Sequence, residues 1–145
     1  MTNTVRRFKL SDQFIDQYVD REVPWGPVGY VTYKRTYARR NSEATPGTTG
    51  TEEWHQTCRR VIEGMFDMQK QHCAQTGLAW NDAKAQRTAK EAYERLFVGK
   101  WTPPGRGLWM MNTEFVRNRT QAGLFNCGFK STQDISQRGG EISAK

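Results

Sequence analysis

The stretch "TEEWHQTCRRVIEGMFDMQKQHCAQTG", residues 51–77, carries the clearest structural signal in the chain. Apolar side chains recur there at steps of three and four, which places them on one face of a helix: Trp54, Cys58, Val61, Ile62, Met65 and Phe66. Thr49 and Glu52 have the spacing of a capping box at its start, and Gly77 is typical of its end. The pattern predicts a long amphipathic helix that reaches at least Cys73.

A second helix is predicted directly after the first. Asn81 is placed to cap it, and Gly99 follows its last apolar residue. The residues predicted for its buried face are Ala85, Ala89, Ala92, Tyr93, Leu96 and Phe97. Because only a short connection separates the two helices, we expect them to pack as an antiparallel pair.

The residues before this pair give mixed signals. "SDQFIDQYV", residues 11–19, predicts a short helix capped by Ser11, with Phe14, Ile15 and Val19 on one face. Prolines and glycines between 24 and 29 then argue against a helix. The aromatic and β-branched residues 30–33 that follow favour an extended segment.

The segment "TPPGRGLW", residues 102–109, combines chain-stiffening and chain-loosening residues. Its two prolines predict an extended approach, and Gly105 and Gly107 would let the backbone crowd a ligand. Arg106 between them suits a phosphate group. An ordinary turn with a solvated arginine explains the composition equally well. We predict buried strand or turn for residues 108–111 and 124–129, and a polar tail from Lys130.

Charge and composition allow one domain with an anionic partner. The chain has 145 residues, a net charge of +7, 36% hydrophobic and 12% aromatic residues. In "YKRTYARR", residues 33–40, cations and tyrosines alternate, as in proteins that bind single-stranded nucleic acid. We favour the alternative, a solvated basic segment that packs its tyrosines inward, because no nucleic-acid-binding signature accompanies it.

The cysteines indicate a reducing, cytoplasmic setting. Cys58, Cys73 and Cys127 form no C-x-x-C motif and no disulfide framework, and no signal peptide or membrane span is recognisable. We expect no metal site, because His55 and Cys58 lack further ligands at suitable spacing. By itself, Cys127 among aromatic residues reads as a small buried hydrophobe, since neither other cysteine is placed to be its redox partner.

Four segments taken together change that interpretation: "VPWGPVGYVTYKRTYARR", "TEEWHQTCRRVIEG", "PPGRGLWMMNT" and "NCGFKST". Over residues 10–135 the chain resembles the N-terminal region of adenosylcobalamin-dependent ribonucleoside-triphosphate reductases, the monomeric class II ribonucleotide reductases. The resemblance implies a mainly α fold, with a helical N-terminal region at residues 1–100. Residues 101–136 would begin a ten-stranded α/β barrel with its substrate turn and first strand, leaving the barrel incomplete. Residues 137–145 would be a polar tail.

The resemblance also implies site residues. Cys127 matches the cysteine on the first barrel strand that forms a disulfide with a second cysteine during reduction, here one outside the chain. The PPGRGLW turn matches a turn near the substrate, where Gly107 stands in place of a threonine and Arg106 in place of a proline. The resemblance therefore implies that the Gly107 N–H and the Arg106 charge would serve where the family has a hydroxyl contact. Asn126 matches a position whose backbone contacts the substrate.

The implied activity is conversion of ribonucleoside triphosphates to 2′-deoxyribonucleotides for DNA replication, by thiyl-radical chemistry under allosteric control. Adenosylcobalamin would be bound by the complete enzyme. A thioredoxin-like partner would reduce the disulfide of Cys127 again. The sequence holds no candidate for the thiyl cysteine and ends in the polar "QDISQRGGEISAK". We therefore expect a reductase portion that is inactive alone and needs a complementary C-terminal portion. The alternatives are a basic stand-alone module that binds nucleic acid or nucleotides, and a truncated product without function.

Overall fold

The computed structural model describes residues 6–40 and 50–127, and in these ranges the fold is helical. Six α-helices and a final 3₁₀ turn follow one another: α1 Asp12–Asp16, α2 Pro27–Thr36, α3 Trp54–Thr76, α4 Asp82–Phe97, α5 Gly105–Met110, α6 Glu114–Asn118, and the 3₁₀ turn Gln121–Leu124. The described ranges contain no strand, only an isolated antiparallel bridge between Arg40 and Thr51.

Helices α3 and α4 form the predicted antiparallel pair. The Trp54 indole N–H at the start of α3 donates to the carbonyl of Phe97 at the end of α4, at 3.0 Å. Tyr93 of α4 donates its hydroxyl to the carbonyl of His55, also at 3.0 Å. Six residues along the contact between the two helices are inaccessible to solvent: Cys58, Val61, Ile62, Ala89, Tyr93 and Leu96. The predicted apolar faces therefore form the centre of the core.

Three of the four ends of these helices follow their predicted signals. Gly77 ends α3 in the left-handed region, with φ of 72°. Asn81 caps α4 by accepting from the amide of Lys84, and Gly99 follows α4 with φ of 75°. The fourth prediction was wrong, because the capping box at the start of α3 is formed by Glu53 and Gln56. Glu52 bonds to other side chains, and Thr49 lies outside the described residues.

The N-terminal segment adds aromatic side chains to the same core. Phe14 and Ile15 of α1 are buried, as predicted, and Tyr18 is buried after the helix. The rings of Phe14 and Tyr18 lie 5.3 and 4.8 Å from the ring of Tyr93. Val19 does not share this face and is 48% exposed, because α1 ends at Asp16 and the helical period does not continue to it.

Helix α2 replaces the extended segment predicted for residues 30–33. Pro27 occupies the first turn, where a missing N–H costs no helical hydrogen bond. Gly29 lies against Trp25, and a Cβ at Gly29 would lie 2.7 Å from the Trp25 Cβ. Pro27 therefore starts the helix and Gly29 lets it pack against Trp25, although in the sequence both residues argued against a helix. Tyr33 on α2 is buried, with an exposed fraction of 4%.

Helix α5 likewise replaces the strand or turn predicted for residues 108–111. Pro104 has the predicted extended conformation, with φ of −51° and ψ of 152°, and its carbonyl then accepts the amides of Gly107 and Leu108. Residues 124–127 form the end of the 3₁₀ turn and an irregular segment. The predicted first barrel strand is thus not found up to Cys127, and its remaining residues, with the tail 137–145, lie outside the described part.

Gly64 lets the connection after α5 approach α3 closely. A Cβ at Gly64 would lie 2.7 Å from the Asn112 Cβ and 2.8 Å from the Met111 Cγ. Asn112 adopts a left-handed conformation there, with φ of 59°, which asparagine tolerates better than most residues. The fit between Gly64 and residues 111–112 therefore fixes the distance between α3 and the segment that contains α5.

We expect Gly64→Ala to lower the free energy of unfolding by ~1–3 kcal/mol, because the added methyl overpacks this contact. Gly26→Ser is the matched control, since its Cβ would have no neighbour within 4 Å and serine suits the N-cap that Gly26 provides. Urea unfolding monitored by tryptophan fluorescence measures both. A Gly64→Ala chain as stable as the unmodified one would contradict the contact.

Candidate functional site

Arg60 of α3 forms a largely buried ion pair that also holds α5. Its Nε and Nη2 atoms lie 2.6 and 2.9 Å from the two carboxylate oxygens of Glu52, and each side chain is only 13% exposed. The same guanidinium donates to the carbonyls of Leu108 and Met111 at 2.8 and 2.7 Å. The end of α5 is therefore fastened to α3 by a bidentate arginine.

The Glu52 carboxylate also connects α2 to this ion pair. Its Oε2 atom accepts from the Thr57 hydroxyl at 2.8 Å and from the Arg39 amide at 3.1 Å. The Tyr33 hydroxyl lies 2.7 Å from the Thr57 hydroxyl and donates to the Glu52 carbonyl at 3.1 Å. Burial raises the pKa of Tyr33 well above its ordinary value, so it remains a neutral partner. One polar network thus joins α2, α3 and α5.

The basic tyrosine segment, residues 33–40, is largely engaged by the fold. Lys34 lies 2.5 Å from Glu53, which also accepts from the Tyr30 hydroxyl at 2.9 Å. Burial raises the pKa of Glu53, but the bonds from Lys34 and Tyr30 outweigh it and hold the pKa below its ordinary value. Arg39 lies over the Trp109 ring at 5.2 Å. The inward packing predicted for the tyrosines is confirmed for Tyr33 and, in part, for Tyr37.

The structure gives Gly107 a different role from the predicted one. A Cβ at Gly107 would lie 2.9 Å from the Pro103 Cβ, and the residue is buried. Its amide donates to the Pro104 carbonyl at 2.7 Å, so it is not the free donor that the sequence suggested for a substrate. The glycine is explained by packing inside the turn. Gly105 similarly accommodates the Tyr37 ring, which would lie 3.3 Å from its Cβ.

Arg106 brings the PPGRGLW turn to the segment that contains Cys127. Its Nη1 atom donates to the carbonyl of Phe125 at 2.9 Å, and four further N–H donors of the guanidinium remain. Arg106, Asn126 and Cys127 are all exposed. The expectation that Cys127 is a buried hydrophobe was wrong, while three of the four predicted site residues lie in two contacting, exposed segments.

Sequence reasoning missed the residues that position this site. Arg60 lies next to the apolar Val61 and its carbonyl partners are 48 and 51 residues further along the chain. No pattern among residues that are close in the sequence predicts such a contact. The only local signal was that Glu52 and Arg60 are both charged and flank the apolar face of α3.

The described residues bear on whether this part of the chain could hold a metal ion or a cofactor. Within ranges 6–40 and 50–127, no three His, Cys, Asp or Glu side chains are grouped to hold a metal ion. Four cavities there measure about 300–460 Å³ each, which is too small for a corrin ring with its nucleotide tail. None of these four cavities would by itself hold adenosylcobalamin. None of the described helices is long and apolar enough to cross a membrane.

Comparison with known proteins identifies the family. The ribonucleotide reductase alpha domain profile matches residues 10–113. A Dictyostelium discoideum protein named "Probable adenosylcobalamin-dependent ribonucleoside-triphosphate reductase" is 36% identical over 94% of the chain. The adenosylcobalamin-dependent ribonucleoside-triphosphate reductase of Euglena gracilis is 33% identical over 90%. The crystal structure of a B-12 dependent (class II) ribonucleotide reductase matches 83% of the chain, with a TM-score of 0.68 and 33% identity.

The chain belongs to the ribonucleotide reductase alpha domain family. Its resemblance to the N-terminal region of the adenosylcobalamin-dependent, class II reductases is confirmed. The chain spans only 18% of the length of each of the two relatives and 16% of the solved structure.

We expect Arg60→Ala to lower the free energy of unfolding by ~3–5 kcal/mol, because it leaves the buried Glu52 carboxylate without its charged partner. The control is Arg95→Ala, which breaks an exposed ion pair with Glu91 and should cost less than ~0.5 kcal/mol. Arg60→Lys should fall between them, since it keeps the charge and loses the fork. Chemical denaturation measures all three, and equal losses in the two alanine variants would contradict the account.

The three thiols should differ in reactivity. Cys127 is exposed, Cys73 is half-buried and Cys58 is fully buried, where burial raises its thiol pKa well above the ordinary value. We expect iodoacetamide to label Cys127 first and Cys58 last in the folded chain, because the thiolate must be formed and reached. Peptide mass spectrometry over a time course measures the order. Protection of Cys127 equal to that of Cys58 would contradict the exposed position.

Proposed function

We propose that this chain supplies the N-terminal part of an adenosylcobalamin-dependent ribonucleotide reductase, which converts ribonucleoside triphosphates to 2′-deoxyribonucleotides. Family membership and the names of the relatives support the reaction class. The observation that carries the site is the hydrogen bond from Arg106 to Phe125, two residues before Cys127. It joins a cation suited to a triphosphate with a thiol suited to redox chemistry.

In this proposal Cys127 is one of two thiols that reduce the substrate. The second thiol belongs to a cysteine outside these 145 residues. The pair loses two electrons and two protons as its disulfide forms, and the substrate gains them as its 2′-hydroxyl leaves as water. A thioredoxin-like dithiol then breaks the disulfide and becomes oxidised itself. The thiyl radical that begins the reaction, and the allosteric control, come from the resemblance and also lie outside this chain.

Arg106 and Asn126 are proposed to meet the substrate. Arg106 is permanently charged and keeps N–H donors beyond the one used at Phe125, so it suits a phosphate. Asn126 would contact the substrate through its backbone, next to the thiol of Cys127. Gly107 would act indirectly, by letting the turn close against Pro103, rather than through its amide.

The remaining reductase portion is proposed to cover the exposed aromatic residues near this site. Trp109, Phe115 and Phe125 are 45%, 51% and 68% exposed, and all three lie in the stretch that runs from α5 to Cys127. Such side chains are typical of surfaces that meet another part of a protein. Adenosylcobalamin is proposed to be held by that other portion, and the assembled enzyme to work in the cytoplasm.

The stand-alone nucleic-acid module receives less support. Tyr33 and Lys34 of the basic segment are engaged by Thr57 and Glu53, and Arg39 stacks on Trp109. The segment therefore offers few free rings and cations for stacking and phosphate pairing. We accordingly do not propose a nucleic-acid partner.

A chimera tests the proposal. The segment of one of these relatives that matches this chain is replaced by the chain, and the product is assayed with adenosylcobalamin, ATP or another ribonucleoside triphosphate, and thioredoxin. We expect deoxynucleotide from the chimera and none from the 145-residue chain alone. Cys127→Ser should reduce multiple turnover at least about a hundredfold, because no disulfide can form.

Cys73→Ser is the matched control, since Cys73 lies on α3 and belongs neither to the PPGRGLW turn nor to the segment of Cys127, and it should retain turnover. Arg106→Ala should raise KM for the triphosphate more than it lowers kcat, on the order of tenfold for a lost charged hydrogen bond. A folded chimera without product, or undiminished thioredoxin-driven turnover in Cys127→Ser, would contradict the proposal.

A further inference from the structure

A cavity of about 440 Å³ lies between α3, the N-terminal segment and α6. The Gly64–Asn112 contact forms part of its wall, and Asp67 of α3 contributes the carboxylate nearest to it. None of Arg106, Gly107, Asn126 and Cys127 lines this cavity. It is therefore a feature that the proposed reaction does not use.

Positive charge dominates the lining of this cavity. Arg6, Arg7 and Arg117 contribute three guanidinium groups, against the one carboxylate of Asp67. Asp67 already accepts the Phe8 amide at 3.0 Å. Among the described residues, none of these arginines lies within ion-pair distance of a carboxylate. Carboxylates act on them only at longer range, Asp82 on Arg6 and both Glu114 and Asp67 on Arg117.

Arg7 and Arg117 are close enough to repel each other. Burial lowers the pKa of Arg117, and the positive charge of Arg7 lowers this pKa further. Glu114 and Asp67 raise the pKa, but their effects do not cancel the decrease. Keeping two guanidinium groups around one cavity costs free energy unless an anion lies between them. A bound anion would convert the repulsion into attraction.

Arg117 is held in place by the strained turn at Asn112. Its Nη1 atom donates to the Asn112 carbonyl at 2.9 Å and to the Asn112 side-chain oxygen at 3.3 Å. Asn112 itself has φ of 59°. These bonds use one nitrogen of the guanidinium, so its other N–H groups are available in a fixed orientation. A pre-oriented fork is the arrangement that recognises a phosphoryl group with two hydrogen bonds.

The rest of the lining gives the cavity a second, apolar side. Met68, Met111 and Val116 contribute apolar surface, and Gln121 adds an amide. An anion bound by the arginines would therefore have room beside it for an apolar or planar group.

We propose that this cavity is a phosphate-binding site, in which Arg7 and Arg117 hold a phosphoryl group, and which accepts either an inorganic phosphate or the phosphate of a larger organic molecule. The proposal does not rest on the proposed reductase function. It adds an anion site formed wholly by residues of this chain.

Isothermal titration of the full chain with phosphate, pyrophosphate and ATP at low salt tests it. We expect saturable binding with one site, and a loss on the order of tenfold in affinity in Arg7→Gln, which breaks no hydrogen bond between described residues. Arg117→Lys should lose a similar amount, because it keeps the charge and loses the fork. If ATP binds more tightly than pyrophosphate, the apolar side of the cavity contacts the nucleoside part of ATP. If the two affinities are equal, the site recognises the inorganic phosphate groups alone. Both outcomes support a phosphate site.

Arg87→Ala is the matched control, because Arg87 is an exposed cation of α4 that does not line the cavity. It removes the same charge and should leave the affinity within a factor of about two. No saturable binding of any of the three ligands would overturn the proposal. Equal losses in Arg87→Ala and Arg7→Gln would also overturn it, since general attraction to a basic chain would then explain the binding.

Discussion

The ion pair between Arg60 and Glu52 is the interaction on which the arrangement of the other elements depends. Two charges that are each 13% exposed are stable only when both are paired and hydrogen-bonded, and the carbonyls of Leu108 and Met111 complete the set around Arg60. Arg60, which lies on α3, therefore fixes the C-terminal end of α5. Gly64, one turn further along α3, permits the close approach that those two bonds require.

The position of the candidate site follows from this constraint. Because α5 is attached to α3 at its C-terminal end, its N-terminal end with Arg106 is directed to the Phe125 carbonyl. The helical core thus positions the PPGRGLW turn, and this turn positions the segment that contains Cys127. In the proposed function, this helical region, which has no strand in its described ranges, contributes to a site whose other parts lie in the remaining reductase.

The sequence predicted α3 and α4 well, because their apolar period, Asn81, Gly77 and Gly99 are local signals that agree with one another. It did not predict α2 and α5. In each, a proline lies in the first turn or just before it, and a glycine packs against a neighbouring side chain, Trp25 or Pro103. The composition does not reveal this packing. The Arg60 contacts were not predictable, since they join residues about fifty positions apart. The roles proposed for Cys127 and Asn126 rest on the family resemblance, because the residues alone favoured a buried, inert thiol.

The most direct test of the central claim is the state of the Cys127 sulfur after one turnover. A chimeric reductase that contains this chain is mixed with substrate and adenosylcobalamin without any external reductant, then digested and mapped by mass spectrometry. The account predicts one disulfide between Cys127 and a cysteine of the complementary portion for each deoxynucleotide formed. A free thiol at Cys127 in enzyme that has formed deoxynucleotide would contradict it.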